Sequence, residues 1–216
     1  MTKAPRALRT DGEATYNRIL EAAGELFAAA GFAETTSKAI AARAGADMAS
    51  INYHFRSRGG LYEAVLIEAH ARLISIERLQ ALTATDLPAR DRLRRIIEEL
   101  VENATADRGW HARVLAREIL APSSHLPTLL QGAVIVKLPI VLGVLSEITA
   151  IPADAPALLR CLISVLAPCA MLLVIGRDAS PWADDIRAIP RAELVEHLYR
   201  FAIGGMEAVA TARPRD

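Results

Sequence analysis

Aromatic side chains are scarce in this chain, at 5% of its 216 residues, and runs that alternate Val or Thr with polar residues are scarcer still. Little of the material that strands favour is present while Ala and Leu abound, which excludes a predominantly β fold and points to helices. Cysteine is almost absent. Cys161 and Cys169 sit in an apolar stretch without metal-ligand spacing, so no Cys-based metal motif exists. Eight residues apart, they share one face of a helix, which fits buried thiols acting as small hydrophobes. The alternative, a redox-sensing pair, needs an exposure that the apolar flanks argue against.

Net charge is missing too: 25 basic residues balance 25 acidic ones. Residues 1–60 carry eight basic and six acidic side chains, an excess of only two. A nucleic-acid partner is therefore permitted by charge but not suggested by it. A single membrane-like segment stands out. Cys161 to Gly176 is uncharged for sixteen residues, with Pro168 inside and Arg160 and Arg177 at its edges. That falls short of the roughly 18 residues of a span and fits a core or interface helix. Polar residues follow Met1-Thr2-Lys3-Ala4-Pro5-Arg6 where a secretory signal would have an apolar core. The expectation is a cytoplasmic protein with no membrane partner.

Enzyme signatures are equally lacking: no Gly-rich phosphate loop, nucleophile elbow or paired metal ligands. Glu193 and His197 lie four apart, but two ligands without a third make a surface pair. Ser123-Ser124-His125 reads as a helix start before Pro127. Neither an enzyme nor a cofactor or metal is expected.

What is present is helical periodicity. After a basic arm at 1–12, expected to be loose, Ile19, Leu20, Ala23, Leu26, Phe27 and Ala30 form one apolar stripe over about 13–30. Gly31 stops it. Thr36 caps a short helix ending at Ala44-Gly45, and Asp47 caps a shorter one from Met48 to about His54. Ser57 caps a long helix expected to run to about residue 80. Further helices are expected near 89–106, 109–120, 126–150, 156–177 and 191–211, separated by Pro122, Pro152, Pro156, Pro181 and Pro190. Pro139 and Pro168 fall inside helical patterns, where each frees a carbonyl four residues back, at Ile135 and Ser164.

Two short helices around the tight turn Gly45-Ala46-Asp47 outline a helix-turn-helix, whose second helix enters the major groove. That second helix is split. Ile51 and Phe55 face inward, leaving Met48, Ala49, Ser50, Asn52, Tyr53 and His54 largely outward. Small and hydrogen-bonding residues exposed on two helical turns suit a surface laid against base edges and phosphates. The same surface also suits a helical adaptor that binds protein.

The stretch NRILEAAGELFAAAGFAETTSKAIAARAGADMASINYHFRSRGGLYEAVL resembles the DNA-binding domain of the TetR family of regulators. Ile19-Leu20, Leu26-Phe27, Gly31-Phe32, Thr36, Ile40-Ala41, Ala44-Gly45, Tyr53-His54-Phe55 and Leu61 fall at the family's spacings. LAREILAPSS further resembles the subgroup with a CecR-like C-terminal domain. The resemblance implies an all-α fold of about nine helices. A helix-turn-helix at 13–58 and a connecting helix at 57–80 would precede a ligand-binding and dimerisation domain at 81–216. It implies a ligand-released repressor, a homodimer on a palindromic operator of double-stranded DNA.

By the same resemblance, Thr36 and Ser37 offer hydroxyl and N–H groups to a phosphate. Tyr53 and His54 contact phosphates, and Arg58 adds a cation. Ala49, Ser50 and Asn52 face base edges, Asn52 able to pair with adenine. Met48 stands where the family usually has Lys, Arg58 replaces a common Lys, and Gly59-Gly60 replaces better helix formers, which suggests either a pliant first turn or a mere irregularity at the helix start. The last two helices would form the dimer interface, with Gly204-Gly205 permitting close approach. Trp110, His111, Arg117, Glu118, His125 and Ser164 are the candidates for binding a small-molecule effector, which the apolar core suggests is lipophilic or aromatic. An amphipathic helix exposing Arg117 and Glu118 to solvent would show the same pattern.

Overall fold

The computed structural model describes residues 6–106, 109–175 and 183–211, with side chains from residue 12 onward. Among these residues there are twelve α-helical segments and no strand. In chain order they are α1 (Arg6–Glu34), α2 (Ser37–Ala44), α3 (Met48–Phe55), α4 (Arg58–Leu73), α5 (Ile76–Thr83) and α6 (Ala89–Thr105). Then come α7 (His111–Leu120), α8 (Leu126–Leu129), α9 (Leu138–Thr149), α10 (Pro156–Ile175), α11 (Ala183–Ala188) and α12 (Arg191–Thr211). They group into two compact units, Met1–Ala69 with Arg108–Leu129, and His70–Asp107 with Leu130–Asp216.

Three of these segments exceed the nine expected, two of them where a long expected helix is interrupted. The long helix expected at 57–80 ends at Leu73, because Ser75 adopts an extended backbone and its Oγ accepts from the Arg78 N–H, starting α5. The helix expected over 126–150 is interrupted by a π turn at Leu130–Val134 and a 3-10 turn at Ile135–Lys137. Pro139 consequently stands in the first turn of α9, where its missing N–H costs no hydrogen bond, and kinks nothing. Pro168 does lie inside a helix, α10. The third addition is α11. Residues 176–182, with the end of the expected 156–177 helix and Pro181, lie outside the described residues.

The first unit is built on α1. Ile19, Leu20, Ala23 and Phe27 are buried along the expected stripe, and Gly31 turns the chain at φ 84°. The helix starts at Arg6, so the arm expected at 1–12 is helical from there, and residues 1–5 lie outside the described residues. Thr36 caps α2 by accepting from the Ala39 N–H at 3.1 Å, and Gly45 ends it at φ 58°. Asp47 caps α3 by accepting from the Ser50 N–H at 2.6 Å.

Residues 109–129 also pack into this unit. Long-range polar contacts explain it. The Trp110 indole donates to Glu21 at 2.7 Å, and its ring fills the space that a Cβ on Gly24 would take, at 2.2 Å. The Arg117 guanidinium donates to the Ala28 and Ala29 carbonyls at 2.8 and 2.7 Å, satisfying acceptors that the α1 terminus leaves open.

The second unit is organised around α6, which packs against α5, α9, α10 and α12. Its apolar face, including Leu93, Ile96, Ile97 and Val101, is buried. Its other face is tied to neighbours by ion pairs: Arg78–Glu99 at 2.8 Å, Arg94–Glu196 at 2.7 Å, Arg90–Glu207 at 2.6 Å, and Arg92–Glu147. Exposed pairs of this kind add little stability each. The buried apolar face carries the packing.

The glycine pair at the start of α4 has a packing reason at one position. A Cβ on Gly60 would stand 2.2 Å from the Phe55 carbonyl oxygen, whereas a Cβ on Gly59 would meet the edge of the His125 ring at 3.0 Å. Gly60→Ala should therefore destabilise the protein by roughly 1–3 kcal/mol in urea unfolding. Gly59→Ala should cost clearly less, since helix propensity improves by about 1 kcal/mol and offsets the tight contact with the His125 ring. Equal effects at both sites would refute the close approach.

Candidate functional site

The split of α3 follows its period. Ile51 and Phe55, four apart, are 1% and 6% exposed, while Tyr53 is 83% exposed. Phe55 stacks on Tyr16 of α1 with ring centroids 4.6 Å apart, and His54 meets the same ring edge-on at 5.9 Å. Eight residues form a helix too short to persist alone, so this packing and the Asp47 cap hold it in place. Ala49 and Asn52 are exposed, Ser50 and His54 half-buried, and Met48 half-exposed. The structure thus brings six expected residues onto one short helix.

The two helix starts differ electrostatically. Thr36 is exposed, Ser37 half-buried, and α2 has no acid in its first turn. Its partial positive end is open to an anion. The start of α3 is occupied by Asp47, whose carboxyl is held below its usual range by hydrogen bonds from Ser50. An anion is favoured at α2 and disfavoured at α3. Sequence reasoning passed over exposed Lys38, in the first turn of α2, and exposed Arg56, which holds a left-handed φ of 66°.

Arg58 is used differently from the expected free cation. Its guanidinium donates to the Phe32 and Thr35 carbonyls, at 3.1 and 2.6 Å, and lies over the Phe32 ring at 4.3 Å. It clamps the turn before α2 to the first turn of α4. Lys, with no planar fork, would not reproduce this geometry.

The residues expected to bind an effector have partners inside the first unit. Trp110 and Arg117 anchor α7 to α1, as above. Glu118, 2% exposed rather than solvated, accepts from the Tyr62 hydroxyl at 2.8 Å and from the Ser123 N–H and hydroxyl at 2.9 and 2.8 Å. Burial, with the Glu118 carboxylate beside it, raises the Tyr62 hydroxyl well above its ordinary pKa. His125 bonds Glu63 at 2.9 Å, and His111 stacks on Trp110 with centroids 3.9 Å apart. Ser164 stands elsewhere, exposed in a groove between α10 and α12 near Phe201 and Gly205.

The second unit holds a cavity of about 230 Å³ that sequence reasoning did not find. Leu73, Ile96, Leu100, Val141 and Leu166 make its apolar wall, and His70, Lys137 and Cys169 add the polar atoms. Lys137, 7% exposed, donates to the Ile74 carbonyl at 2.6 Å and lies 2.9 Å from His70 Nδ1. Burial lowers the Lys137 pKa, with partial opposition from Glu77. Burial, with the Lys137 charge beside it, lowers His70 to about 4. The Cys169 thiol is pushed up to about 11 by burial, so it stays protonated. Among the described residues, no three His, Cys, Asp or Glu gather as a metal site.

The family model for bacterial regulatory proteins of the tetR family matches residues 19–65. That for the C-terminal domain of the HTH-type transcriptional dual regulator CecR matches residues 89–206, more than half of the chain. No curated protein matches. Among solved structures, the fatty acid degradation regulator FadR from Bacillus halodurans is similar at TM-score 0.70 and 15% identity, over 95% of this chain and 98% of that one. FadR from Bacillus subtilis in complex with stearoyl-CoA is similar at TM-score 0.67 and 16% identity, over 88% and 98%. A TetR-like transcriptional regulator from Rhodococcus sp. RHA1 follows at 0.63 and 20%, over 94% and 98%. At these identities the likeness establishes the fold.

The buried histidine gives the cavity a pH signature. Unfolded His70 takes a proton near its ordinary 6.5, whereas folded His70 resists until about 4. Stability is therefore lost as pH falls through that window, by on the order of 3 kcal/mol at most. Urea unfolding at about pH 7 and about pH 4.5 should show a smaller acid loss for His70→Gln than for the unmodified protein. Identical losses would contradict a histidine buried neutral.

Proposed function

Because the chain belongs to the tetR family of bacterial regulatory proteins, with a C-terminal domain of the CecR type, we propose that it is a homodimeric, ligand-released repressor that reads a palindromic operator through α3. The observation that carries this reading is the exposed face of α3, with Asn52 and Tyr53 in solvent on a helix pinned by Ile51 and Phe55. In the proposed division of labour, Ala49, Ser50 and Asn52 meet base edges and Met48 a thymine methyl. Thr36, Ser37, Lys38, Tyr53 and His54 meet phosphates. Arg58 acts indirectly, by holding the turn that carries Thr36.

Dimerisation would use α10 and α12. They pack on each other and leave Ile163 59% and Phe201 71% exposed, while Cβ atoms at Gly204 and Gly205 would meet nothing within 4 Å. A second copy covering this face would bury Ile163 and Phe201, with Gly204 and Gly205 open to close approach. Leu126–Thr149 and Pro156–Ile175 are long and apolar enough to cross a membrane by length and composition. Exposed Arg160 and Ser164 on α10 fit a subunit seam better than lipid. Such a dimer works in the cytoplasm, spacing two α3 helices about 34–36 Å apart, one turn of DNA. An effector in the second unit's cavity lowers operator affinity by preferring the DNA-free conformation.

Fluorescence anisotropy with operator and scrambled duplexes at roughly 100–150 mM salt tests the division of labour. Asn52→Ala should cut operator affinity about tenfold and leave scrambled DNA unchanged. Lys38→Ala should weaken both alike and flatten the salt dependence by about one charge. Uniform losses from both variants would remove Asn52 as a base reader. Binding that ignores salt would favour the protein-binding adaptor instead.

A further inference from the structure

The geometry points to an apolar monoanion, a hydrophobic carboxylate, as the effector, with Lys137 as the residue that takes its headgroup and in doing so lets go of the end of α4. The inference rests on the proposed effector role of the second unit's cavity and names the ligand class and the latch within it.

Lys137 is the cation lining that cavity, and apolar side chains make up most of the wall around it. An ammonium so placed is costly unless an anion or several acceptors compensate it. Among the described residues its hydrogen bonds go to two uncharged acceptors, the Ile74 carbonyl and the His70 ring. An ammonium only donates, so His70 must accept at Nδ1 and carry its proton at Nε2. Two of three N–H donors are thereby used, and one is left for a ligand. Glu77, which opposes the desolvation, is exposed on α5 and supplies no carboxylate inside the cavity. A ligand carboxylate there would complete the ammonium's donors and cancel its charge, with the hydrocarbon against Leu100, Val141 and Leu166.

The same contacts set what binding does. His70 lies in the last turn of α4, and Ile74 closes that helix by donating to the His70 carbonyl at 3.2 Å. The Asn103 amide holds the adjacent Leu73 carbonyl at 3.0 Å. Lys137 and Asn103 thus bind the C-terminal end of the helix whose first turn directly follows α3 in the chain. A carboxylate at the third donor draws the ammonium toward itself and so weakens its bonds to the Ile74 carbonyl and His70. It thereby loosens one of two holds on α4 and leaves the Asn103 hold in place. A neutral alcohol of the same length fills the apolar wall without drawing the ammonium as an anion does.

Isothermal titration calorimetry of the full-length protein with decanoate and with decanol tests this without any DNA. Decanoate should bind at least about tenfold more tightly than decanol, the difference expected of a charge-assisted contact. Lys137→Met, which keeps length and apolar volume, should lose that preference and leave decanol affinity within about threefold. Equal affinity of the unmodified protein for the two ligands would overturn the assignment, whatever the variant does. So would undiminished decanoate binding by a folded Lys137→Met protein. An operator titration in parallel separates the two proposals: loss of decanoate selectivity with intact operator binding rejects the carboxylate latch alone.

Discussion

An eight-residue helix does not hold its shape in water, and on the proposed reading α3 must present Asn52 and Tyr53 in one orientation. Everything around it supplies that orientation. Ile51 and Phe55 give it an apolar underside, Tyr16 stacks beneath Phe55, and Asp47 satisfies an N–H at its start. At its end the chain reverses through Arg56 and Ser57 so closely that α4 needs a glycine at position 60. Arg58 then ties the start of α4 back to the turn before α2. Rigidity in a recognition surface limits the entropy lost on binding. The contacts that bury half of α3 therefore serve the half that remains exposed.

The second unit solves an opposite problem. Its helices are apolar enough to pack without polar specificity, yet a lysine is placed among them at 7% exposure. Polar groups buried at a cost mark positions that do something besides packing. Here the ammonium binds the carbonyl at the end of α4, where Ser75 has already broken the helix. A helix end held by a side chain that also lines a cavity is the element through which, on the proposed reading, a ligand would shift the equilibrium.

Local chemistry was readable and distant partnership was not. Thr36, Gly45 and Asp47 act at the positions their spacing indicated, because caps and left-handed turns depend on neighbours a few residues away. Ser75 followed by Glu77 was a readable start signal too, masked because Leu73, Ile76 and Leu79 stay in helical phase across the break. Trp110 and Arg117 read as pocket residues because their partners, Glu21 and the Ala28 and Ala29 carbonyls, lie about 90 positions earlier. Lys137 left one trace, a single charge in the apolar run from Ala133 to Val144. What that charge touches, His70 and Ile74, no local spacing encodes.

The central claim is that the exposed face of α3 reads a particular DNA sequence. The direct test incubates the purified protein with fragmented genomic DNA at roughly 100–150 mM salt and sequences what is retained. The protein is first refolded to strip any effector carried through purification. Enrichment of one palindromic site with half-sites about 10 base pairs apart is the expected result. Retention without sequence preference, or no retention after refolding, would contradict the account and return α3 to the role of a protein-binding surface.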